Sequence, residues 1–339
     1  MKMKLPKKHH GAETTIFAKM TALALQENAA NLSQGFPDDE IHPHLKKLLA
    51  KATANNYNQY APMNGLPMLV ETLIDFNQKR NISVSKDELT IIPGATYGIY
   101  TAIASIIEYG DEVIVLEPSY DSYVPAIETN GGKPVFVSLN EHFEADFEAI
   151  KKAITEKTKA IIINSPHNPT GKIWKKADFE QLYQMIKDTE IMVISDEVYD
   201  LITFDENKFY SICHHPELKN RSFAIFSFGK MFHITGWKVG YILAPEELTK
   251  VFRSVHQYLC FSVNTPAQYA LAKHLEHFEV NANALYLQQK RDFFLSEMKD
   301  LPFNFTEKTE GSYFQLAKYN QISDLEDLEF SIWLTKECK

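Results

Sequence analysis

The chain has 339 residues, of which 45% are hydrophobic and 23% are charged, and this length predicts two domains or one large domain with a smaller one attached. The formal net charge of −9 argues against nucleic acid or an anionic membrane surface as a partner. No apolar run reaches transmembrane length. The three cysteines lack the spacing of metal ligands, so we expect free thiols, no metal site and a cytoplasmic location.

From about residue 88 onward, short apolar runs alternate with helical patterns. Strands are predicted at ELTIIP, DEVIVLEP, KPVFVSL, KAIIINSP, IMVISDE, SFAIFSF and KVGYILAP. The first helix of this region is predicted in ATYGIYTAIASIIEYG and should end at Gly110. Short apolar strands that alternate with helices predict an α/β fold, with a mostly parallel sheet covered by helices on both faces.

After Pro245 the pattern becomes helical, with a break near SVNTPAQ. The end of the chain predicts a strand in GSYFQLAKY and an amphipathic helix in SDLEDLEFSIWLTKECK. We expect an N-terminal segment over 1–45 that joins the small domain and the substrate pocket, a large cofactor-binding domain over 46–280, and the start of the small domain over 281–339.

In open α/β sheets, ligands bind outside the carboxyl ends of the strands. After the first predicted strand, Gly94, Ala95 and Thr96 open a helix whose free N–H groups favour a phosphate. A simple turn with a threonine cap explains the same residues. After KAIIINSP comes Asn168, which either belongs to a turn or donates a hydrogen bond to a ligand oxygen.

Two ionisable side chains follow the next strands. Asp196 ends the apolar run IMVIS, where its carboxylate serves either as a helix cap or as the partner of a cationic ligand nitrogen. Lys230 follows SFAIFS, between Ser227 and Lys238, and is either a solvated loop lysine or an amine with a lowered pKa that forms an imine. The four strand ends supply an anion site, a hydrogen-bond donor, a carboxylate and an amine. Together these groups predict pyridoxal 5′-phosphate as the cofactor.

From about Thr14 to its last residue, the chain resembles the class I/II (fold-type I) pyridoxal-phosphate-dependent aminotransferases. The resemblance rests on the motifs NLSQGFPD, NQYAPMNG, GDEVIVLEPSYDSYVPAI, NSPHNPTGKIW, VISDEVYD, SFGKMFHITGWKVGYILAP and HQYLCFSVNTPAQYALA. Within the family, the chain is most similar to the group of bacterial methionine aminotransferases and kynurenine aminotransferases (glutamine transaminase K). The resemblance implies a large domain with a mostly parallel central sheet between helices, and a small α+β domain.

The resemblance also implies a role for each polar residue. Lys230 would bond the cofactor aldehyde as a Schiff base and then move a proton between the substrate Cα and the cofactor. Asp196 would keep the ring nitrogen protonated, and Tyr199 and Asn168 would bond the ring hydroxyl oxygen. Tyr120 would stack on the ring. The phosphate would be held by Ala95, Thr96, Ser227 and Lys238.

Four further residues receive roles from the resemblance. Tyr60 would reach the phosphate of a neighbouring subunit, which implies a homodimer; a packed surface aromatic is the other interpretation. Gly35 would let the backbone approach the substrate carboxylate. Ile16 and Phe17 would line an apolar substrate pocket, or they would simply pack in the core.

The sequence departs from the family pattern near its end. Relatives normally continue for some tens of residues and carry an arginine there that grips the substrate carboxylate. The arginines here are Arg80, Arg221, Arg253 and Arg291, and none lies in that position. Asn168 would then be the chief side-chain contact to the substrate carboxylate. We expect a truncated small domain, and a chain that binds the cofactor but transaminates slowly.

Three functions are consistent with these residues. The first is transfer of the amino group of methionine or aromatic amino acids, including kynurenine-like ones, to a 2-oxo acid; no second arginine is placed for an acidic side chain. The second is a β-lyase acting on cysteine S-conjugates with the same lysine. The third is a cofactor-binding sensor domain, against which the negative net charge and the short segment before the match both argue.

Overall fold

A computed structural model describes residues 8, 14–33, 35, 39–305 and 307–339, with residues 280 and 281 described by their backbone only. A single sheet is formed by β1 (Leu89–Ile92), β2 (Glu112–Glu117), β3 (Lys133–Ser138), β4 (Thr158–Asn164), β5 (Met192–Asp196), β6 (Ser222–Ser227) and β7 (Gly240–Leu243). The order across the sheet is β1-β7-β6-β5-β4-β2-β3. Strand β7 is antiparallel to β1 and β6, and the remaining pairs are parallel. The mostly parallel α/β sheet is therefore confirmed.

Helices account for much of the described chain outside the sheet. They are α1 (Ile16–Glu27), α2 (Pro43–Ala54), α3 (Pro67–Lys79), α4 (Ala95–Ile106), α5 (Tyr123–Thr129), α6 (Phe147–Ala153), α7 (Lys176–Ile186), α8 (Pro216–Lys219), α9 (Phe228–Met231), α10 (Glu246–Leu259), α11 (Thr265–Leu275), α12 (Val280–Met298) and α13 (Asp327–Glu337). No helix in the described part of the chain is both long and apolar enough to cross a membrane.

Successive strand residues point to opposite faces, so the sheet divides the core into two apolar clusters. In β1, Ile91 belongs to the cluster that includes residues of α2, α3, α7 and α11. Its neighbour Ile92 belongs to the cluster that includes residues of α4, α5 and α10. All residues of β1, β6 and β7 are buried, which explains why these strands are continuous apolar runs in the sequence.

Two sequence predictions fail at the ends of elements. Helix α4 ends at Ile106, because Ile107 is extended and Gly110, with φ of 94°, forms the turn that leads into β2. The predicted strand in GSYFQLAKY is also wrong. Residues 311–319 form only the isolated bridges that Gly311 makes with Thr203 and Lys318 with Asn304, because Ser312 has a φ of 63° that interrupts an extended backbone.

The last predicted helix is confirmed as α13, and it packs against α1. Phe330 is its buried residue, with its ring stacked 4.0 Å from that of Tyr319. Contact between the two ends of the chain agrees with an N-terminal segment that crosses over to the C-terminal region. The domain boundaries near residues 45 and 280 stay predictions.

Candidate active site

A cavity of about 280 Å³ opens at the carboxyl ends of β4, β5 and β6. The register of the sheet places Asn164 beside Asp196, and Ser227 is the last residue of the next strand. Most residues singled out from the sequence line this cavity: Phe17, Gly35, Ala95, Thr96, Tyr120, Asn168, Asp196, Tyr199, Ser227, Lys230 and Lys238. The fold therefore brings residues from six separate chain segments to one place.

The carboxylate of Asp196 is buried at the floor of the cavity, with 4% of the residue exposed. Its Oδ2 accepts a 2.7 Å hydrogen bond from the hydroxyl of Tyr123, and its Oδ1 accepts a 3.4 Å bond from the N–H of Val198. Burial raises the pKa of Asp196 to about 6, while the two hydrogen bonds and the charge of Lys230 oppose the rise. With a pKa of about 6 this carboxylate is mostly ionised at neutral pH, and none of the described cationic side chains forms an ion pair with it.

Lys230 lies on the single-turn helix α9, which continues directly from β6. The buried side chains of Phe228 and Met231 anchor this turn in the core, so that Lys230 faces the cavity. Its Nζ lies 2.8 Å from the carbonyl oxygen of Gly35 and 2.9 Å from the hydroxyl of Tyr313. The pKa of Lys230 is lowered to about 8. Burial is the main cause, Asp196 opposes the shift, and the positive charge of Lys238 adds to it.

The N-terminus of α4 forms the anion-binding side of the cavity. Gly94 precedes the helix with φ of 88°, a conformation that favours glycine, and Ala95 and Thr96 follow it in the first turn. The side chain of Lys238 passes close by, because its Nζ would lie 3.5 Å from a Cβ added to Gly94. The hydroxyls of Thr96 and Tyr120 are 3.2 Å apart. Free helix N–H groups together with a cation suit a phosphate.

Asn164, which the sequence analysis missed, fixes the loop that carries Asn168. Its Oδ1 accepts a 2.6 Å hydrogen bond from the N–H of Asn168, and its Nδ2 donates a 2.8 Å bond to the carbonyl oxygen of Asp196. One buried amide side chain therefore connects the ends of β4 and β5. A polar residue that ends an otherwise apolar strand is the sequence signal that could have identified it.

Tyr123, Tyr313 and Phe314 were also missed. Tyr123 is the first residue of α5 and comes three residues after Tyr120, and this proximity in the sequence could have drawn attention to it. Tyr313 and Phe314 come from the C-terminal segment, where no strand end draws attention to them. Phe314 lines the cavity and Tyr313 contacts Lys230.

Two residues with predicted roles lie outside the cavity. Ile16 is 42% exposed and does not line it. Tyr60 is 82% exposed, and its ring meets that of Phe261 edge-on at 5.8 Å. Neither residue is among those that line the cavity, and their predicted roles stay predictions.

The four arginines are engaged elsewhere. Arg80 and Arg291 form ion pairs at 2.7 Å with aspartates. Arg221 and Arg253 donate hydrogen bonds to backbone carbonyl oxygens. No arginine is among the described residues that line the cavity.

The residues of the cavity fit pyridoxal 5′-phosphate. Asp196 is a buried carboxylate that a protonated ring nitrogen would neutralise, and Lys230 is an amine of lowered pKa in the same cavity. The N-terminus of α4 offers a phosphate site at the other side. Among the residues that the structure describes, no group of three or more histidine, cysteine, aspartate or glutamate side chains could hold a metal ion.

Comparison with known proteins agrees with this fold. The family model "Aminotransferase class I and II" matches residues 27–339. Methionine aminotransferase of Escherichia coli (strain K12) is 44% identical over 330 residues, which cover 96% of this chain and 85% of that protein. Kynurenine–oxoglutarate transaminase of Dictyostelium discoideum is 33% identical, over 91% of this chain and 76% of that protein.

A crystal structure of the Escherichia coli methionine aminotransferase superposes with a TM-score of 0.95 at 42% identity, covering 99% of this chain and 89% of that one. The chain therefore belongs to the class I and II aminotransferases. It is a transaminase that depends on pyridoxal phosphate.

Proposed function

We propose that this transaminase acts on methionine and aromatic amino acids, including kynurenine-like ones, with a 2-oxo acid as acceptor. The observation that carries the proposal is the composition of the cavity wall. Phe17, Val198 and Phe314 give it an apolar side, and none of its described lining residues is an arginine that could hold an acidic side chain. The names of the relatives from Escherichia coli and Dictyostelium discoideum point to the same substrates.

The proposed roles follow from the chemistry of each side chain. When bound, pyridoxal phosphate supplies an electron sink conjugated with the substrate Cα. Lys230, whose pKa is about 8, has a substantial neutral fraction near neutral pH and can bond an aldehyde or take a proton. Asp196 supplies the negative charge that keeps a ring nitrogen protonated. Burial raises the pKa of Tyr199 well above its usual range, so its hydroxyl keeps its proton and donates to the ring oxygen.

Other residues bind and orient. We assign Asn168 to hold the ring oxygen and the substrate carboxylate, and Tyr120 to stack on the ring. The phosphate is assigned to the first turn of α4, with Ser227 and Lys238 completing its site. Lys238 is exposed, so its contribution is a point charge that phosphate neutralises rather than a buried ion pair.

We also propose that the protein is a homodimer in which Tyr60 completes the phosphate site of the partner. The support is an exposed aromatic and apolar set near Tyr60, whose members Tyr258, Leu259 and Phe261 are 86%, 52% and 48% exposed. Exposed apolar surface of this kind is typical of an interface between identical chains. The three free cysteines suit the reducing cytoplasm, which we propose as the compartment.

A half-reaction scan tests the substrate proposal. Purified holoenzyme is mixed with one amino acid at a time, and the loss of the cofactor's aldehyde absorbance is followed without any acceptor. We expect methionine, kynurenine, phenylalanine and tyrosine to react at least about tenfold faster than aspartate and glutamate, because a buried carboxylate without a cation is costly. Faster reaction with aspartate would contradict the proposal. Pyruvate release from a cysteine S-conjugate would instead indicate the β-lyase.

Borohydride reduction tests the assignment of the lysine. Peptide mapping after reduction of the holoenzyme should place the cofactor on Lys230 alone. Lys238 lines the same cavity and serves as the internal control. Cofactor attached to Lys238, or to no lysine, would overturn the assignment.

A further inference from the structure

Two groups meet at the amine of Lys230. Its Nζ donates to the carbonyl oxygen of Gly35 at 2.8 Å and to the hydroxyl oxygen of Tyr313 at 2.9 Å. The hydroxyl of Tyr313 itself donates to the same Gly35 carbonyl. Gly35, Lys230 and Tyr313 therefore form a closed triangle of hydrogen bonds, which we name the lysine clamp.

The hydrogens in this triangle can be assigned. A tyrosine hydroxyl has one proton, and that of Tyr313 is directed to the carbonyl oxygen of Gly35. The hydroxyl oxygen therefore presents a lone pair to Lys230 and accepts from it. A neutral amine has two N–H groups and one lone pair. Both N–H groups are used in the clamp, so the lone pair of Nζ stays available to the cavity.

We propose that Tyr313 is a positioning residue that, with the Gly35 carbonyl, holds the unbonded amine of Lys230 by both N–H groups and leaves its lone pair for the Cα proton of the substrate. The proposal rests on the proposed function of Lys230 as the base. Were the hydroxyl of Tyr313 turned towards Nζ instead, it would donate to the lone pair and weaken the base.

The same clamp serves the protonated state. When the Cα–H bond breaks, the proton bonds to the lone pair of Nζ and the electron pair of that bond stays with the substrate. The resulting ammonium has three N–H groups, of which two remain on Gly35 and Tyr313. The third faces the cavity, and its proton can be returned to the substrate without movement of the lysine.

The surroundings of Tyr313 hold its ring in place. The centroid of the Tyr313 ring lies 5.3 Å from that of Tyr199, which it meets edge-on, and 5.2 Å from that of Phe314. The backbone before it is fixed by a 2.9 Å bond from the N–H of Ser312 to the carbonyl oxygen of Ile202. Burial raises the pKa of Tyr313 above its usual range, so the hydroxyl keeps the proton that the clamp requires.

Tyr313→Phe removes the hydroxyl and keeps the ring, so it separates the clamp from packing. The control is Tyr319→Phe, which removes a hydroxyl of the same C-terminal segment that donates to the carbonyl oxygen of Leu325. In apoenzyme, the rate at which an amine-directed acylating reagent modifies Lys230 is measured against pH by mass spectrometry of its peptide. We expect the midpoint in Tyr313→Phe to fall by about one pH unit, because a charge-assisted bond to the ammonium is lost.

Steady-state kinetics of the holoenzyme supply a second readout. We expect kcat of Tyr313→Phe to fall by about tenfold while KM stays within about twofold, because the hydroxyl positions the base and does not bind substrate. A labelling midpoint equal to that of the wild type and of Tyr319→Phe would overturn the clamp, even if the enzyme transaminates. A shifted midpoint in a protein that does not transaminate would retain the clamp and reject the proposed function.

If Tyr313→Phe does not fold, 3-fluorotyrosine at position 313 replaces it. This residue keeps the hydroxyl and weakens its oxygen as an acceptor. We expect a smaller shift of the labelling midpoint in the same direction, and an unchanged midpoint would overturn the proposal.

Discussion

The hydroxyl of Tyr123 donates a 2.7 Å hydrogen bond to Oδ2 of Asp196, and both side chains are buried. Burial raises the pKa of Asp196, and this hydrogen bond opposes the rise, so that the pKa is about 6. Without the bond, the pKa of Asp196 would be higher. Tyr123 comes from α5 and Asp196 from the end of β5. The charge of the proposed ring-nitrogen partner therefore depends on a tyrosine from a different element.

Tyr123→Phe should raise the pKa of Asp196 and leave less of its carboxylate ionised at neutral pH. We expect the dissociation constant of pyridoxal phosphate to rise by about tenfold, since one hydrogen bond to a charged group is lost. Titration of apoenzyme with cofactor at several pH values measures this, and the loss should be largest on the acid side. Tyr210→Phe, which removes a hydroxyl that bonds the carbonyl oxygen of His214, is the control. Equal affinity at every pH would contradict the role of Tyr123.

The amine of Lys230 sets a second pH dependence. Its pKa is about 8, and only the neutral amine attacks an aldehyde. Cofactor attachment to apoenzyme should therefore accelerate by about tenfold per pH unit below about pH 8 and become constant above it. Stopped-flow absorbance at saturating cofactor measures the profile.

Lys238 is one of the groups that lower the pKa of Lys230. Lys238→Met should move the attachment profile to higher pH, because a neighbouring positive charge is removed. It should also weaken cofactor binding, since the phosphate loses a cation. Lys238→Arg keeps the charge and is the matched control. A profile that moves equally in both variants would show that the charge is not the cause.

Gly35→Ala should disturb the cavity next to Lys230, whose Nζ lies 2.8 Å from the Gly35 carbonyl oxygen. A Cβ at Gly35 would lie 2.2 Å from Cζ of Phe314 and 2.9 Å from Cε2 of Tyr313, so both rings must move. We expect kcat/KM for methionine to fall by at least about tenfold, because misplaced positioning groups cost rate steeply. Gly236→Ala is the control, since a Cβ there meets nothing within 4 Å. Equal kinetics in the two variants would exclude the contact.

Glu197 makes the folded protein less stable as the pH rises. Its Oε1 accepts from Ser195 and from the N–H of Ile212, but its buried Oε2 has no hydrogen-bond partner among the described residues. Burial raises its pKa to about 7, so between its ordinary value and about 7 the folded state binds a proton that the unfolded state has lost. Stability attributable to this group is therefore present at low pH and lost as the pH rises.

Glu197→Gln removes this titration. We expect the free energy of unfolding at about pH 8 to exceed that of the wild type by roughly 1–3 kcal/mol, and the difference to disappear near pH 5. Urea unfolding at both pH values measures it. Glu71→Gln makes the same substitution at an exposed position of α3 and is the control. A destabilised variant at high pH would contradict the assignment of the charge.

Hybrid dimers test whether Tyr60 acts across subunits. If each site combines Lys230 of one chain with Tyr60 of the other, mixing Lys230→Ala chains with Tyr60→Ala chains produces dimers with one complete site. We expect activity to rise above that of either variant, towards the level set by the fraction of complete sites. If Tyr60 acts on its own chain, no site is complete and activity does not recover. Mixing each variant with itself is the control for the exchange procedure.

The sequence alone was sufficient for the sheet and for the polar residues at its strand ends. Strands buried on both faces are continuous apolar runs, so β1, β2 and β4 to β7 were readable without tertiary information. The edge strand β3 is largely exposed and was readable as a short apolar run. Asp196 ends such a strand, and Asn168 and Lys230 come a few residues after two others. Their positions in the sequence therefore predict the edge of the sheet at which they meet. Element ends were less certain, as Gly110 and the segment after Gly311 show, because turns depend on single backbone angles.

Only the tertiary structure decided which distant side chains control those residues. Tyr123 reaches Asp196 across 73 residues of sequence, Tyr313 reaches Lys230 across 83, and Gly35 reaches it across 195. No local pattern encodes such contacts, because they arise from the packing of separate elements around the cavity. A short apolar strand specifies its own conformation and burial. The charge and proton affinity of a buried group depend on neighbours that the whole fold supplies.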